Sequence, residues 1–187
     1  MSGAGHIDPS NKKIALLIAV LALVLAFSET LGKGSQTAAL SMNIEASNLW
    51  AFFQAKTIRL TTIRTAADTM ETELPQAISP QTREAMEKRI ADWKKVAARY
   101  ESEPETNEGR KELAARAKAT EAKRDRSLAA YHHYEVASAA VQIAIVLASA
   151  AIITGTSVLT WIAGGLGLLG IGFCFIAFFW PTAIHLF

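Results

Sequence analysis

The sequence predicts an all-α integral membrane protein with three transmembrane helices and a long, coiled-coil-like helical stalk outside the membrane. Two observations predict the membrane part: one apolar run begins near residue 14, and two more follow residue 136. A third observation predicts the stalk, because apolar residues repeat in heptads through the polar middle of the chain. All lysines and arginines except Lys12 and Lys13 lie in that middle, between residues 33 and 134. The apolar content is therefore concentrated at the two ends rather than in one soluble core.

The first transmembrane helix is predicted over residues 14–32, after a flexible tail at residues 1–13. Its start resembles a signal peptide, with two lysines, an apolar run and small residues around Ala26-Phe27-Ser28. The apolar run continues through Leu31, so an uncleaved membrane helix is the prediction. Small residues recur along one face at spacings of four and three, which predicts close helix packing in lipid. This face consists of Ala15, Ala19, Ala22 and Ala26.

An ionisable residue continues the same spacing toward the end of the span. Glu29 follows Ala26 by three positions, and Lys33 follows one turn later. A carboxylate within a membrane helix is a candidate for proton or cation passage. The alternative interpretation is an ion pair with Lys33, which lies at i+4 and can neutralise the charge near the membrane interface.

The stalk is predicted over residues 33–135. Its first helix begins beyond Gly34, carries a heptad seam and ends at Pro75. The seam contains one polar residue, Lys56, and such an insertion can fix helix register or partner number. The predicted seam positions are Leu49, Phe53, Lys56, Leu60, Ile63, Met70 and Leu74. Ser79-Pro80 predicts the start of the next helix, because a capping hydroxyl followed by proline is typical of a helix N-terminus.

An acidic, turn-like segment at residues 101–108 separates that helix from a longer one starting near Gly109. The longer helix is predicted to run without a break into the second membrane helix. The helix lengths require the middle helix to lie across the top of the stalk or to fold back, with the acidic loop climbing to the next helix. The stalk is therefore predicted to have an acidic tip. Its predicted basic base consists of Lys118, Lys123, Arg124 and Arg126.

The second and third transmembrane helices are predicted over residues 136–154 and 158–180, before a short tail at 181–187. Thr154-Gly155 predicts a tight turn between them. Trp161 and Trp180 are separated by roughly 28 Å of helix at ~1.5 Å per residue, close to the ~30 Å hydrocarbon core. The predicted interfacial anchors are Tyr131, Tyr134, Trp161 and Trp180. The other predicted packing faces contain Ala140, Ala144, Ala148, Gly164 and Gly167.

No catalytic, cofactor-binding or metal-binding motif is evident, so the sequence does not predict an enzyme or a small-molecule substrate. Gly165, Gly167 and Gly170 match the dinucleotide pattern G-x-G-x-x-G, but they lie inside a membrane helix rather than after a strand. His132 and His133 point about 100° apart on a helix, which favours interfacial polar residues over metal ligands. The net charge of +2 belongs to a mixed surface and does not predict nucleic-acid binding.

Three segments of the chain resemble a known family. They are the run Ile14-Ala-Leu-Leu-Ile-Ala-Val-Leu-Ala-Leu, the segment Glu29-Thr-Leu-Gly-Lys33, and residues 43–59. Together they resemble the bacterial membrane family catalogued as domain of unknown function 4337. The resemblance implies a location in the bacterial inner membrane. It implies no established activity and no catalytic or ligand-binding residues.

The leading functional hypothesis is a non-enzymatic inner-membrane protein with a scaffold or structural role. It would self-associate through its transmembrane small-residue faces and its heptad stalk, so the expected partners are the lipid bilayer and other copies of the chain. One alternative is an oligomeric channel or ion-coupled component that uses Glu29. Another is an accessory subunit of a larger membrane complex. The basic residues before the second membrane helix favour a cytoplasmic stalk, although Lys12-Lys13 favours a cytoplasmic N-terminus.

Overall fold

The protein is helical throughout its regular structure in a computed structural model that describes residues 9–77 and 79–184, with side chains described from Asn11 onward. The described helices are α1 (Pro9–Glu73), α2 (Pro80–Glu101), α3 (Arg110–Thr154) and α4 (Ser157–Phe179), with a short 3₁₀ helix at Leu74–Gln76. Three of these helices, α1, α3 and α4, are long and apolar enough to cross a membrane. Residues 1–8 and 185–187 of the two predicted tails lie outside the described residues. Residues 9–13 differ from the predicted flexible tail, because they already belong to α1.

The first membrane stretch and the first stalk stretch form one continuous helix of 65 residues. The prediction that a new helix begins beyond Gly34 is therefore wrong. No neighbouring helix packs closely at Gly34, because a Cβ atom added there would have nothing within 4 Å. A glycine inside a helix costs only about 1 kcal/mol relative to alanine, and good helix-forming sequence on both sides outweighs that cost.

The chain divides into two compact units. The membrane unit consists of Met1–Leu40 and Lys123–Phe187, and it contains the apolar stretches of α1, α3 and α4. The stalk unit consists of Ser41–Ala122.

Close helix approach through glycine and alanine holds the membrane unit together. Its largest buried apolar cluster contains Leu21, Val141, Ala144, Ala148 and Ala163. A Cβ atom added to Gly167 would lie 2.5 Å from Leu21 Cδ2, so that glycine provides the space in which the leucine packs. In lipid, such close packing replaces the hydrophobic effect as the source of helix association.

Two polar contacts also join helices of the membrane unit. The hydroxyl of Ser28 on α1 lies 2.9 Å from that of Ser138 on α3. His133 Nε2 donates to the carbonyl oxygen of Pro181, just after α4, over 3.0 Å. At the opposite end of α4, Gly155 adopts φ +69°, and its N–H donates to the Ala151 carbonyl. This geometry confirms the predicted tight turn after α3.

In the stalk unit, the predicted seam of α1 lies against α2 and α3 of the same chain. Leu49, Lys56 and Leu60 are buried, and the other seam positions are half-buried. Ser79 caps α2 as predicted, because its hydroxyl accepts from the Thr82 N–H over 3.1 Å.

The middle helix folds back along α1. The ammonium of Lys94 on α2 pairs with Glu71 near the end of α1, and Glu101 at the end of α2 accepts from Arg64 over 3.3 Å. Arg110, the first residue of α3, donates to the Thr57 hydroxyl over 2.9 Å. Beyond about residue 57, α1 therefore packs against α2, and before that residue its stalk portion packs against α3.

The acidic loop lies beside the middle of the stalk portion of α1, so the predicted climb to an acidic tip is wrong. Lys56 explains this position. Its ammonium lies 3.9 Å from the Glu108 carboxylate and 5.2 Å from the centre of the Tyr100 ring. Because a buried ammonium requires compensating charge, it holds the end of α2 and the loop against α1.

Glu112 in the first turn of α3 organises the same loop. Its carboxylate accepts from the Ser102 hydroxyl over 2.6 Å and from the Glu103 N–H over 3.1 Å. The Ser102 hydrogen bond is the main reason that the pKa of Glu112 lies below its ordinary value of 4.5. Gly109 leaves room for this carboxylate, since a Cβ atom there would lie 2.2 Å from Glu112 Oε2.

We expect Gly170→Ala to destabilise the membrane unit by about 1–3 kcal/mol, the usual cost of overpacking a filled contact. The new Cβ atom would lie 2.5 Å from Val141 Cγ2 and 3.2 Å from the Ala137 carbonyl oxygen. The measurement is the thermal unfolding midpoint in detergent. The matched control is Gly164→Ala in the same helix, where nothing lies within 4 Å and the midpoint should be kept or raised. Equal midpoints for the two variants would contradict this packing.

We expect Glu112→Gln to lower the unfolding midpoint of the protein at neutral pH, because a neutral amide replaces the carboxylate that accepts charge-assisted hydrogen bonds from the Ser102 hydroxyl and the Glu103 N–H. The folded pKa of Glu112 lies below 4.5, so its stabilising contribution is present above that pH and is lost as the pH falls through the folded pKa. The midpoint difference between wild type and variant should therefore shrink on acidification. Glu84→Gln, at an exposed position of α2, is the control and should change nothing. A difference that is independent of pH would refute the assignment.

Candidate functional site: the alanine stripe and Glu29

The predicted small-residue faces separate into two groups in the membrane unit. Ala140, Ala144 and Ala148 are buried inside the chain, as is Gly167. Gly164 is not packed, because an added Cβ atom would meet nothing within 4 Å. The small residues of α3 and the inner glycines of α4 are thus used to hold one chain together.

The small residues of α1 have a different position. Ala15, Ala19, Ala22 and Ala26 are all exposed, and we call this row the alanine stripe. The helix instead turns Leu21 inward, toward α3 and α4. The alanine stripe therefore lies on the surface of the membrane unit.

Glu29 continues the alanine stripe and is also exposed. Its Oε1 atom accepts from Gln142 Nε2 of α3 over 3.3 Å. Among the residues that the structure describes, it forms no ion pair with Lys33, so the expected pairing within α1 is not present. Instead, the carboxylate is hydrogen-bonded to the Gln142 amide of α3.

A polar groove of about 250 Å³ lies beside Glu29, between α1 and α3. On its α3 wall, the Tyr131 hydroxyl donates to Glu135 over 3.3 Å, and His132 Nδ1 lies 3.7 Å from the same carboxylate. The lining residues are Glu29, Lys33, Gln36, Tyr131, Tyr134, Glu135 and Ser138. Carboxylates beside an ammonium can exchange a proton or cation, or can form ion pairs with an adjacent helix.

The described residues contain no group of three or more His, Cys, Asp or Glu side chains placed to hold a metal ion. In that part of the chain, the groove therefore offers hydrogen bonds and charge rather than a ready-made metal site.

The aromatic residues predicted as interfacial anchors occupy different environments. Trp161 and Trp180 are 82% and 66% exposed and lie at the two ends of α4. Tyr131 is half-buried at the polar groove. Only 3% of Tyr134 is exposed, and its Cβ atom lies 3.2 Å from the Cβ position of Gly32, so it packs α3 against α1.

Three polar residues of the membrane unit were not identified as contacts from the sequence. Ser28 and Ser138 join two helices, and Gln142 binds Glu29. Ser28 lies seven residues after the buried Leu21. If the heptad pattern of the stalk is extended into the first span, it identifies Ser28 as a buried position. His133, predicted to be interfacial, is 1% exposed and stacks on Phe173 with ring centres 5.9 Å apart. No sequence signal indicates Gln142, because its partner is 113 residues away.

Comparison with known proteins agrees with the resemblance that the three segments carry. Neither a curated protein nor a solved structure matches this chain. A family model described as Domain of unknown function (DUF4337) matches residues 10–180, a range that includes all four helices except the first residue of α1. The chain therefore belongs to this DUF4337 family.

Proposed function

We propose that the protein is a non-enzymatic, self-associating scaffold of the bacterial inner membrane, and that its copies meet along the alanine stripe. The observation that carries the proposal is the exposure of all four alanines of α1 in a unit whose other alanine face is buried. Small residues allow helix backbones to approach closely in lipid, which is where association energy arises. An exposed stripe of this kind suits a second helix better than it suits disordered lipid chains.

The stalk unit supports self-association through a different surface from the one expected. Its heptad seam packs within the chain, so it is not free to join copies. A second row on α1 remains exposed: Ile44, Ala51 and Ile58 repeat every seven residues, and the two isoleucines are 62% and 67% exposed. Heptad-spaced apolar residues on a water-facing helix are typical of a surface that another helix covers.

The basic residues of α3 support a cytoplasmic position for the stalk unit. Lys118, Lys123, Arg124 and Arg126 precede the apolar stretch of that helix, and three of them are exposed. Lysines and arginines near a membrane span are retained on the cytoplasmic side, where they also meet anionic headgroups. Lys12-Lys13 acts in the opposite sense but supplies fewer charges.

We expect Ala22→Leu to weaken self-association at least tenfold, because the larger side chain would separate the two backbones. The measurement is the particle mass in native lipid, where wild type should give multiples of the 20.2 kDa protomer. The control is Leu23→Ala at the adjacent exposed position, which should leave the mass unchanged. A wild-type particle of one protomer would overturn the proposal. Additional mass from another protein would instead support an accessory subunit of a larger complex.

We expect a cysteine at Ala85, an exposed position of α2, to react with a membrane-impermeant maleimide only after the membrane is permeabilised. The background is Cys174→Ser, which removes the native thiol. The physical reason is that the basic end of α3 retains the stalk unit in the cytoplasm. Labelling in intact spheroplasts would place the stalk unit on the other side.

A further inference from the structure

Two opposite charges on the exposed side of α1 are not paired with each other. Within the described part of the chain, the Glu29 carboxylate accepts a hydrogen bond only from the neutral amide of Gln142. The distance from Gln142 Nε2 to Glu29 Oε1 is 3.3 Å, longer than the usual ~2.9–3.0 Å. The ammonium of Lys33 has no acidic partner among the described residues, although it lines the same polar groove. A carboxyl group and an amino group thus remain without an ion-pair partner among the described residues near the end of the first span.

The charge of Glu29 is costly where it lies. Glu29 lies within the predicted span of residues 14–32, Lys33 directly follows that span, and both side chains are exposed at the surface of the membrane unit. An ionised side chain at a lipid-facing position is unfavourable unless a partner or water compensates it. A charged partner is therefore expected on the outer side of α1.

The spacing of the two residues fits a second copy of the same helix. Lys33 lies four residues after Glu29, about 6 Å along the axis. Side chains on a helix lean toward its N-terminus, and because lysine is longer than glutamate, the lysine ammonium can reach back toward the depth of the carboxylate. Ala26 and Ala22, about one and two turns before Glu29, allow the close backbone approach that brings two such helices into contact.

An identical chain supplies both charges that the site lacks. Copies that insert in the same direction place their α1 helices in parallel, with equivalent residues at equal depth. The acid of each copy then faces the base of the other, which is the self-complementarity that a symmetric interface requires. Gln142 assists this arrangement because it holds the Glu29 carboxylate away from Lys33 of its own chain.

We propose that Glu29 pairs with Lys33 of a second, parallel copy, so that reciprocal ion pairs close the interface at the end of the alanine stripe. This pairing rests on the self-association proposed above. It identifies the partner of the polar groove and fixes both the direction and the register of the contact. The ion pairs form where the alanine stripe ends, so packing and charge select the same neighbour.

The test is a charge exchange between two differently labelled copies in lipid vesicles. Glu29→Lys alone should weaken self-association at least tenfold, because it places lysine opposite lysine, and Lys33→Glu alone should do the same with two acids. A mixture of the two variants should recover wild-type energy transfer between labels, since each pair again joins opposite charges. Failure of the mixture to recover association would overturn the pairing, because rescue requires contact between chains.

A second variant covers the case in which lysine at position 29 prevents insertion. Glu29→Gln combined with Lys33→Gln removes both charges without repulsion and should weaken association less than either charge reversal. An unchanged association constant in this variant would overturn the pairing. The pairing would also be overturned if vesicles containing Glu29→Gln lost ion flux while association stayed intact, which is the result expected of a channel.

The outcomes separate this inference from the proposed function. If wild type is a single protomer, self-association itself is wrong. If wild type associates, Ala22→Leu dissociates it and the charge mixture shows no rescue, the stripe remains an interface and only the ion pairing is refuted.

Discussion

The buried side of α1 repeats every seven residues and gives its neighbours their positions. Leu21, Ser28, Leu49 and Lys56 are buried and are separated by whole multiples of seven. Since seven residues make almost two turns, each heptad returns a buried side chain to nearly the same side of the helix. Leu21 packs at Gly167 of α4, Leu49 in a cluster with Leu113 of α3, and Lys56 beside Tyr100 of α2. One periodic row thus contacts all the other helices.

The same row uses different chemistry in the two units. In the membrane unit, shape decides the contacts: a leucine enters the space above a glycine, and a hydroxyl meets a hydroxyl. In the stalk unit, where water competes for polar groups, charge fixes the place at which α1 changes neighbours, because Lys56 draws in Glu108 and the Tyr100 ring. A buried cation tolerates few alternative arrangements, so it specifies the register of the loop more strongly than apolar contacts would.

Sequence periodicity predicted the helices but did not identify Leu21 as the buried position of the first span. The three apolar stretches, the Ser79 cap and the turn at Gly155 follow from local chemistry, and local chemistry is readable in a sequence. Small residues on α1 indicate a close contact in lipid, but only one partner in such a contact must be small, so the contact with α4 could not be assigned to a residue of α1 from the sequence. Here α4 supplies the glycine and α1 the leucine. An assumed break at Gly34 also hid the fact that Leu21 is in register with Leu49.

The distance along the chain between Ser28 and Ser138 has a consequence for biosynthesis. Their contact spans 110 residues, so α1 is synthesised long before α3 has been made. At about 5–20 residues per second, this interval lasts roughly 5–20 s. During this interval the first span has neither the Ser138 contact of Ser28 nor the Gln142 contact of Glu29, and the Ser28 hydroxyl keeps only its hydrogen bond to the Leu25 carbonyl of the same helix. The polar contacts that join α1 to α3 are therefore among the last to form, after the ribosome has delivered the later helix.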